Sequence, residues 1–170
     1  MNSSTENFLK LIRILAWLAF LGFLVKAGGI IMSFGVSFNN AEAAKDMYRG
    51  MDLSRYETYS FVHFSVITLY HIISNLMLAY IALFTAKILK SEHIENPFSN
   101  EMILLLHKIS YTILGVAIVG TIHNIHIGAL ERNIGITADY FPNEYIFLSI
   151  LVYVLARLFI KGMMAKNISN

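Results

Sequence analysis

The residues of this chain that could do chemistry are few, and they interrupt apolar runs. Lys26 lies inside the run from Ile14 to Ser33. His71, Ser74 and Asn75 lie inside the run from Phe61 to Ala86, three and four residues apart, so on a helix they share a face. His123, Asn124 and His126 lie inside the run from Ile109 to Leu130, and Glu144 directly precedes the run from Tyr145 to Ile160. Ionisable groups in apolar surroundings are costly, so function is sought there first. Imidazoles with an ordinary pKa of about 6.5 can carry protons. Their nitrogens can also ligate a metal. Lys26 could pair with Glu144 or hydrogen-bond to Asn75. His71 and His123 on facing helices could offer axial ligands to a haem. A purely structural reading stands beside these: interhelical hydrogen bonds fix the helix register, and Lys26 stretches its stem toward the interface.

Several chemistries are excluded. There is no cysteine, hence no disulfide, thiolate metal site, Cys-ligated iron–sulfur cluster or cysteine nucleophile. No His-Glu-x-x-His, phosphate loop or Gly-x-Ser-x-Gly pattern occurs. The expectation is therefore a protein without catalytic residues and without a resident cofactor. A net charge of +2 gives no reason to expect a nucleic-acid partner.

The elements that must carry these residues follow from composition. The 170 residues are 56% hydrophobic and 14% charged. A soluble domain has about 25% charged residues. A membrane helix needs about 20 mostly apolar residues, and four segments are read as spans: 14–33, 61–86, 109–130 and 145–160. Ala41-Glu42-Ala43 has the small-residue pattern of a signal cleavage site. It lies far beyond the apolar run that ends at Val25, so the first span is expected to be retained.

Basic residues set the orientation. Lys10, Arg13, Lys87, Lys90, Lys108, Arg157, Lys161 and Lys166 fall on one side, against Lys45, Arg49, Arg55 and Arg132 on the other. The positive-inside rule then places both termini in the cytoplasm. The acids agree: four fall inside and seven outside, so the net charge divides into +4 inside, −3 outside and Lys26 within the bilayer. Depth follows at about 1.5 Å per residue from each inner basic residue. Lys26 lies about 20 Å from Arg13, His71 about 24 Å and Asn75 about 18 Å from Lys87. His123 lies about 23 Å and His126 about 27 Å from Lys108, and Glu144 about 20 Å from Arg157. Lys26, His71, Asn75, His123, Asn124, His126 and Glu144 thus predict one polar layer in the outer half of the bilayer, with His63 nearer the surface. Gly120, one turn before His123, could let another helix approach.

The connections carry fewer signals. The loop from Phe38 to Ser60 reads as an interfacial lid joining two helices, with Tyr48, Met51, Tyr56 and Tyr59 suited to the lipid interface. Arg13 and Trp17, four apart, read as an anchor at the opposite interface. Ser99 or Asn100 suits a helix N-cap, Asn96-Pro97 would end a preceding helix, and Pro142 suits a helix start.

The inner loop reads Asn96-Pro-Phe-Ser-Asn-Glu-Met-Ile-Leu-Leu-Leu-His-Lys-Ile-Ser. Pro97-Phe98 is followed by polar residues, and Leu106-His107-Lys108-Ile109-Ser110 leads into the third span. Phe159 and Gly162 mark the exit from the fourth span. With four spans, both ends inside and a long first outer loop, the chain resembles the bacterial family called domain of unknown function 2975. Ser110 stands where that family tends to have glycine, and Ala165 where it has leucine. The resemblance implies a bacterial inner-membrane protein, often encoded beside a small helix-turn-helix regulator. It brings no catalytic residues.

The sequence therefore predicts an all-α, polytopic membrane protein. It is a single four-transmembrane-helix bundle over residues 1–170, with both termini inside, in the inner (cytoplasmic) membrane. The expected function is that of a non-catalytic sensor or accessory subunit. It would contact a membrane or cytoplasmic protein, or a second copy of itself, through the loop 91–101 and the tail after Lys161. The alternatives are a small transporter or proton-linked permease built on Lys26, His71 and His123, and a haem- or metal-binding protein.

Overall fold

The computed structural model describes residues 3–90, 99–135 and 140–168. The Asn96-Pro97-Phe98 stretch and most of the inner loop lie outside them. The described residues form α1 (Ser3–Ser37), a 3-10 helix (Ala41–Asp46), α2 (Ser54–Tyr59), α3 (Phe61–Ile88), α4 (Asn100–Ile134) and α5 (Asn143–Ile168), with no strand among them. Three stretches, Thr5–Ser37, Phe61–Ile88 and Asn100–Asn133, are long and apolar enough to cross a membrane. In hydrocarbon the backbone must satisfy its own hydrogen bonds, which a helix does.

The second predicted span coincides with α3. The first and third are shorter than α1 and α4, each of 35 residues and so about 52 Å long against a hydrocarbon core of about 30 Å. Apolar runs mark what lipid covers, while helix geometry continues through polar turns until something stops it. At the start of α1 the Glu6–Lys10 pair, at 2.8 Å and four residues apart, supports such a polar turn. Ser99 is the N-cap of α4, its Oγ accepting from the Met102 N–H at 3.2 Å. Gly135, left-handed at φ 66°, ends that helix and donates to the Glu131 carbonyl. The Pro142 carbonyl accepts the first bond of α5, from Ile146. Trp17 packs edge-on to Phe20, with ring centroids 5.6 Å apart.

The long helices pack in chain order, α1 on α3, α3 on α4 and α4 on α5. The segment between α1 and α3 is not a mere joining lid. It folds into a cap whose Ala44, Met47, Leu53 and Tyr56 are buried with Ile30 of α1, Phe64 and Ile67 of α3, and Ile127 and Leu130 of α4. The interfacial reading of its aromatic residues is thereby corrected. Tyr56 is only 5% exposed, Tyr48 and Met51 are half-buried against the cluster, and Tyr59 alone of the four is exposed. The backbone explains why. Arg49 and Gly50 both take left-handed conformations, φ 48° and 85°, and reverse the chain. Met47 N–H then donates to the Met51 carbonyl at 2.9 Å and Leu53 N–H to the Ala44 carbonyl at 2.8 Å. Asp46 Oδ1 accepts from Gly50 N–H at 2.7 Å and secures the reversal. Tyr48 lies against α1 where Gly29 leaves room; a methyl there would come within 2.8 Å of its ring.

Met47 fills this cluster and is fully enclosed. Met47→Ala should cost about 2–5 kcal/mol by leaving a cavity. Val62→Ala, at a well-exposed position, should change stability by under about 0.5 kcal/mol. Thermal unfolding in mild detergent reads both; equal effects would show that the cap contributes nothing to the fold.

Candidate ligand site beneath the cap

The α3–α4 interface brings the histidines together. His63 Nδ1 and His126 Nε2 are 2.9 Å apart, so one neutral ring donates to the other. Tyr59 stacks on His63 at 5.7 Å. Below the pair, the Tyr70 ring stands edge-on to both His126 (5.9 Å) and His123 (5.5 Å). His71 in turn meets His123 edge-on at 5.3 Å. The rings thus run in contact from exposed Tyr59 inward to His71.

Two cavities flank the inward end. The larger, of about 1010 Å³, lies between the cap and α1; its polar wall is Lys26, Arg49, Asp52, Arg55, His71 and His123. The smaller, of about 240 Å³, is walled by Lys26, Tyr70, His71, Asn75, His123 and Phe141 among others. Lys26, His71 and His123 face both. Asp52, in the wall of the larger cavity, accepts at Oδ1 from the Ser54 hydroxyl (2.6 Å) and N–H (2.9 Å). These bonds, the hydroxyl's first, hold its carboxyl below the usual carboxylate range, so it is ionised at neutral pH.

The predicted polar layer is partly assembled and partly dispersed. Lys26, half-buried, makes no ion pair or hydrogen bond among the described residues. Asn75 is buried, but its Nδ2 donates to the His71 carbonyl of its own helix at 2.7 Å rather than serving Lys26. His126 is engaged with His63. Glu144 does not meet Lys26. It is exposed in the first turn of α5, lines neither of these cavities and forms no ion pair among the described residues.

Asn124 supplies the physical reason. Its Nδ2 donates to the Phe141 carbonyl and its Oδ1 accepts from the Phe141 N–H, both at 2.7 Å. This double bond pins the α4–α5 connection onto α4. Phe141 then becomes the wall of the smaller cavity, and Glu144, three residues on, does not. The approach that Gly120 permits is that of the Phe141 ring, which a methyl at 120 would meet at 2.6 Å.

His123 is the most deeply buried of these imidazoles, at 4% exposure; the Asn124 side chain interacts with it, but neither ring nitrogen makes a hydrogen bond of good geometry. Buried polar atoms are ordinarily satisfied, and an unsatisfied one costs about 1–3 kcal/mol. Here the unsatisfied nitrogens belong to a side chain that walls two cavities. Among the described residues no group of three or more His, Cys, Asp or Glu side chains has metal-binding geometry. The His71 and His123 rings touch, so no haem plane fits between them.

Sequence reasoning missed Tyr70 as the link between the histidines, and the pairing of His63. A signal existed: His63 and Tyr70 are seven apart, two turns along one helix face. No comparable signal marked Arg49, Asp52 and Arg55 as cavity wall, because their placement depends on the fold of the cap. Compared with protein-family models, with curated proteins and with solved structures, the chain matches none.

The two polar residues of α4 should respond oppositely to apolar replacement. Asn124→Ala leaves the Phe141 backbone without its clamp and should cost about 1–3 kcal/mol. His123→Leu removes an unsatisfied group and should raise the unfolding temperature in mild detergent. A loss on His123→Leu as large as that on Asn124→Ala would make the imidazole structural.

Proposed function

We propose that the protein is a non-catalytic sensor or accessory subunit of the inner membrane, which binds a small ligand beneath its cap. The observation that carries this reading is His123. A buried imidazole with neither nitrogen in a hydrogen bond of good geometry, facing a cavity of about 1010 Å³, is a group suited to a ligand. In this reading the bound state is passed to a protein partner, or to a second copy of the chain, through the inner loop 91–101 and the tail after Lys161.

The same proposal takes α5 as a fourth span, both termini as cytoplasmic and the cap as facing outward. In support, α5 has 26 residues, hence a length of about 39 Å. The basic residues cluster at the ends away from the cap. Kinship with domain of unknown function 2975 belongs to this proposal too, resting on the loop and C-terminal motifs.

Native mass spectrometry of the protein released from mild detergent tests the binding site. The protein should carry an adduct other than detergent. A side chain added at Gly22 would meet open space, and Gly22 lines the larger cavity. Gly22→Phe should therefore displace the adduct without unfolding the chain. Absence of an adduct, or its persistence in Gly22→Phe, sinks the reading.

Orientation has its own test, since the natural chain holds no cysteine. An impermeant maleimide added to intact cells should label Glu42→Cys in the cap. Glu6→Cys should be labelled only after the cells are opened. The opposite pattern would overturn the assigned topology.

A further inference from the structure

The larger cavity has two chemically distinct parts. At the cap end its wall holds three basic side chains, Lys26, Arg49 and Arg55, and two imidazoles, His71 and His123, with one carboxylate, that of Asp52. That carboxylate already accepts two hydrogen bonds from Ser54. Arg49 is held in the left-handed region, costly for a residue with a side chain, and its guanidinium lies over the Tyr48 ring at 5.5 Å. Strain of this kind persists where surrounding structure fixes it, and here it places Arg49 in the cavity wall.

Away from the cap the wall becomes apolar. Ala19, Gly22, Phe23 and Lys26 follow the i, i+3, i+4, i+7 spacing of one face of α1. From Ala19 to Lys26 this strip runs about 10 Å along a single face of one helix. The neighbouring Leu21 and Val25 line the cavity while being exposed on the outside of α1. The cavity therefore opens sideways along a face that lipid would cover. Cations at the cap end, an apolar strip leading away from it and a lateral opening are complementary to one kind of molecule.

We propose that this cavity takes a single-chain anionic amphiphile from the bilayer, its carboxylate- or phosphate-class headgroup held by Lys26 and Arg49 and its chain lying on the Ala19–Gly22–Phe23 strip. This rests on the binding role assigned above and names the ligand class. The His123 imidazole supplies a hydrogen bond to a headgroup oxygen. Lys26 gains the counter-charge that no described side chain provides.

Photolabelling of the full-length protein in mild nonionic detergent tests this. The probe is a hexadecanoic acid carrying a diazirine on its chain, compared with the corresponding alcohol. The acid should label the α1 stretch 19–23 and the alcohol at least about tenfold less, the scale of one charge-assisted hydrogen bond. The double variant Lys26→Met, Arg49→Gln should lower labelling by the acid to the alcohol's level. Lys26→Arg should retain it, which separates loss of charge from loss of fold. Equal labelling by acid and alcohol overturns the proposal. So does competition by inorganic phosphate as strong as that by unlabelled hexadecanoate, since a free anion would then suffice. If the acid fails to label while Gly22→Phe still displaces a native adduct, the ligand class is wrong and the binding role stands. If no adduct exists, both fall.

Discussion

Inside a bilayer, apolar side chains gain nothing by leaving lipid for one another, because lipid tails are as apolar as leucine. Long apolar helices therefore need another source of association. In this protein it lies at the cap end, where exposed Glu42, Lys45 and Asp46 mark a surface suited to water. There the cluster of Met47, Tyr56, Ile30, Phe64, Ile67 and Ile127 draws on the cap, α1, α3 and α4 at once. Burial from water is the dominant favourable force in folding. The cap thus does for the helices what lipid-facing surfaces cannot: it ties their ends together at one place.

The cavities follow from that arrangement. Below the cap, residues of α1, α3 and α4 together wall a space. Lys26, His71 and His123 look into that space from three different helices. The opposite side is closed differently. Asn124 binds the Phe141 backbone through both atoms of its amide, and Phe141 seats on the bare surface of Gly120. One wall is thus held by hydrophobic burial and the other by a pair of hydrogen bonds. The histidines sit between them on α3 and α4.

The helices were legible from the sequence because lipid imposes a one-dimensional rule, a run of about 20 apolar residues. The bounds of α3 and the Ser99 cap follow from local signals and agree with the structure. The meeting of His71 and His123 was reached by comparing depths, which works because both helices keep the same rise. Glu144 failed by the same method. Depth says nothing about azimuth, and the Asn124 clamp decides which residue of the connection faces inward. The cap was illegible for a different reason. Its chain reversal depends on Arg49 adopting a conformation that its type disfavours, enforced by the Asp46–Gly50 bond and by burial around it. No local propensity encodes such a choice, so Tyr56 read as an interfacial residue when it is a core one.

The three polar residues within one turn of α4 allow an internal comparison. Asn124 spends its donor and acceptor on the Phe141 backbone, and His126 is bonded to His63. His123, between helices of the same kind at nearly the same depth, has neither ring nitrogen in a hydrogen bond of good geometry. His126 keeps one ring nitrogen, Nδ1, unsatisfied as well, so the unmet hydrogen-bonding capacity on this turn belongs to its two imidazoles. Lys26 across the cavity is likewise unpaired among the described residues. Departures from local consistency concentrate at functional sites, where stability is given up for an interaction that the chain does not make with itself. An imidazole N–H and a basic side chain lining one cavity are complementary to an anionic group, which is the ground of the binding role proposed above.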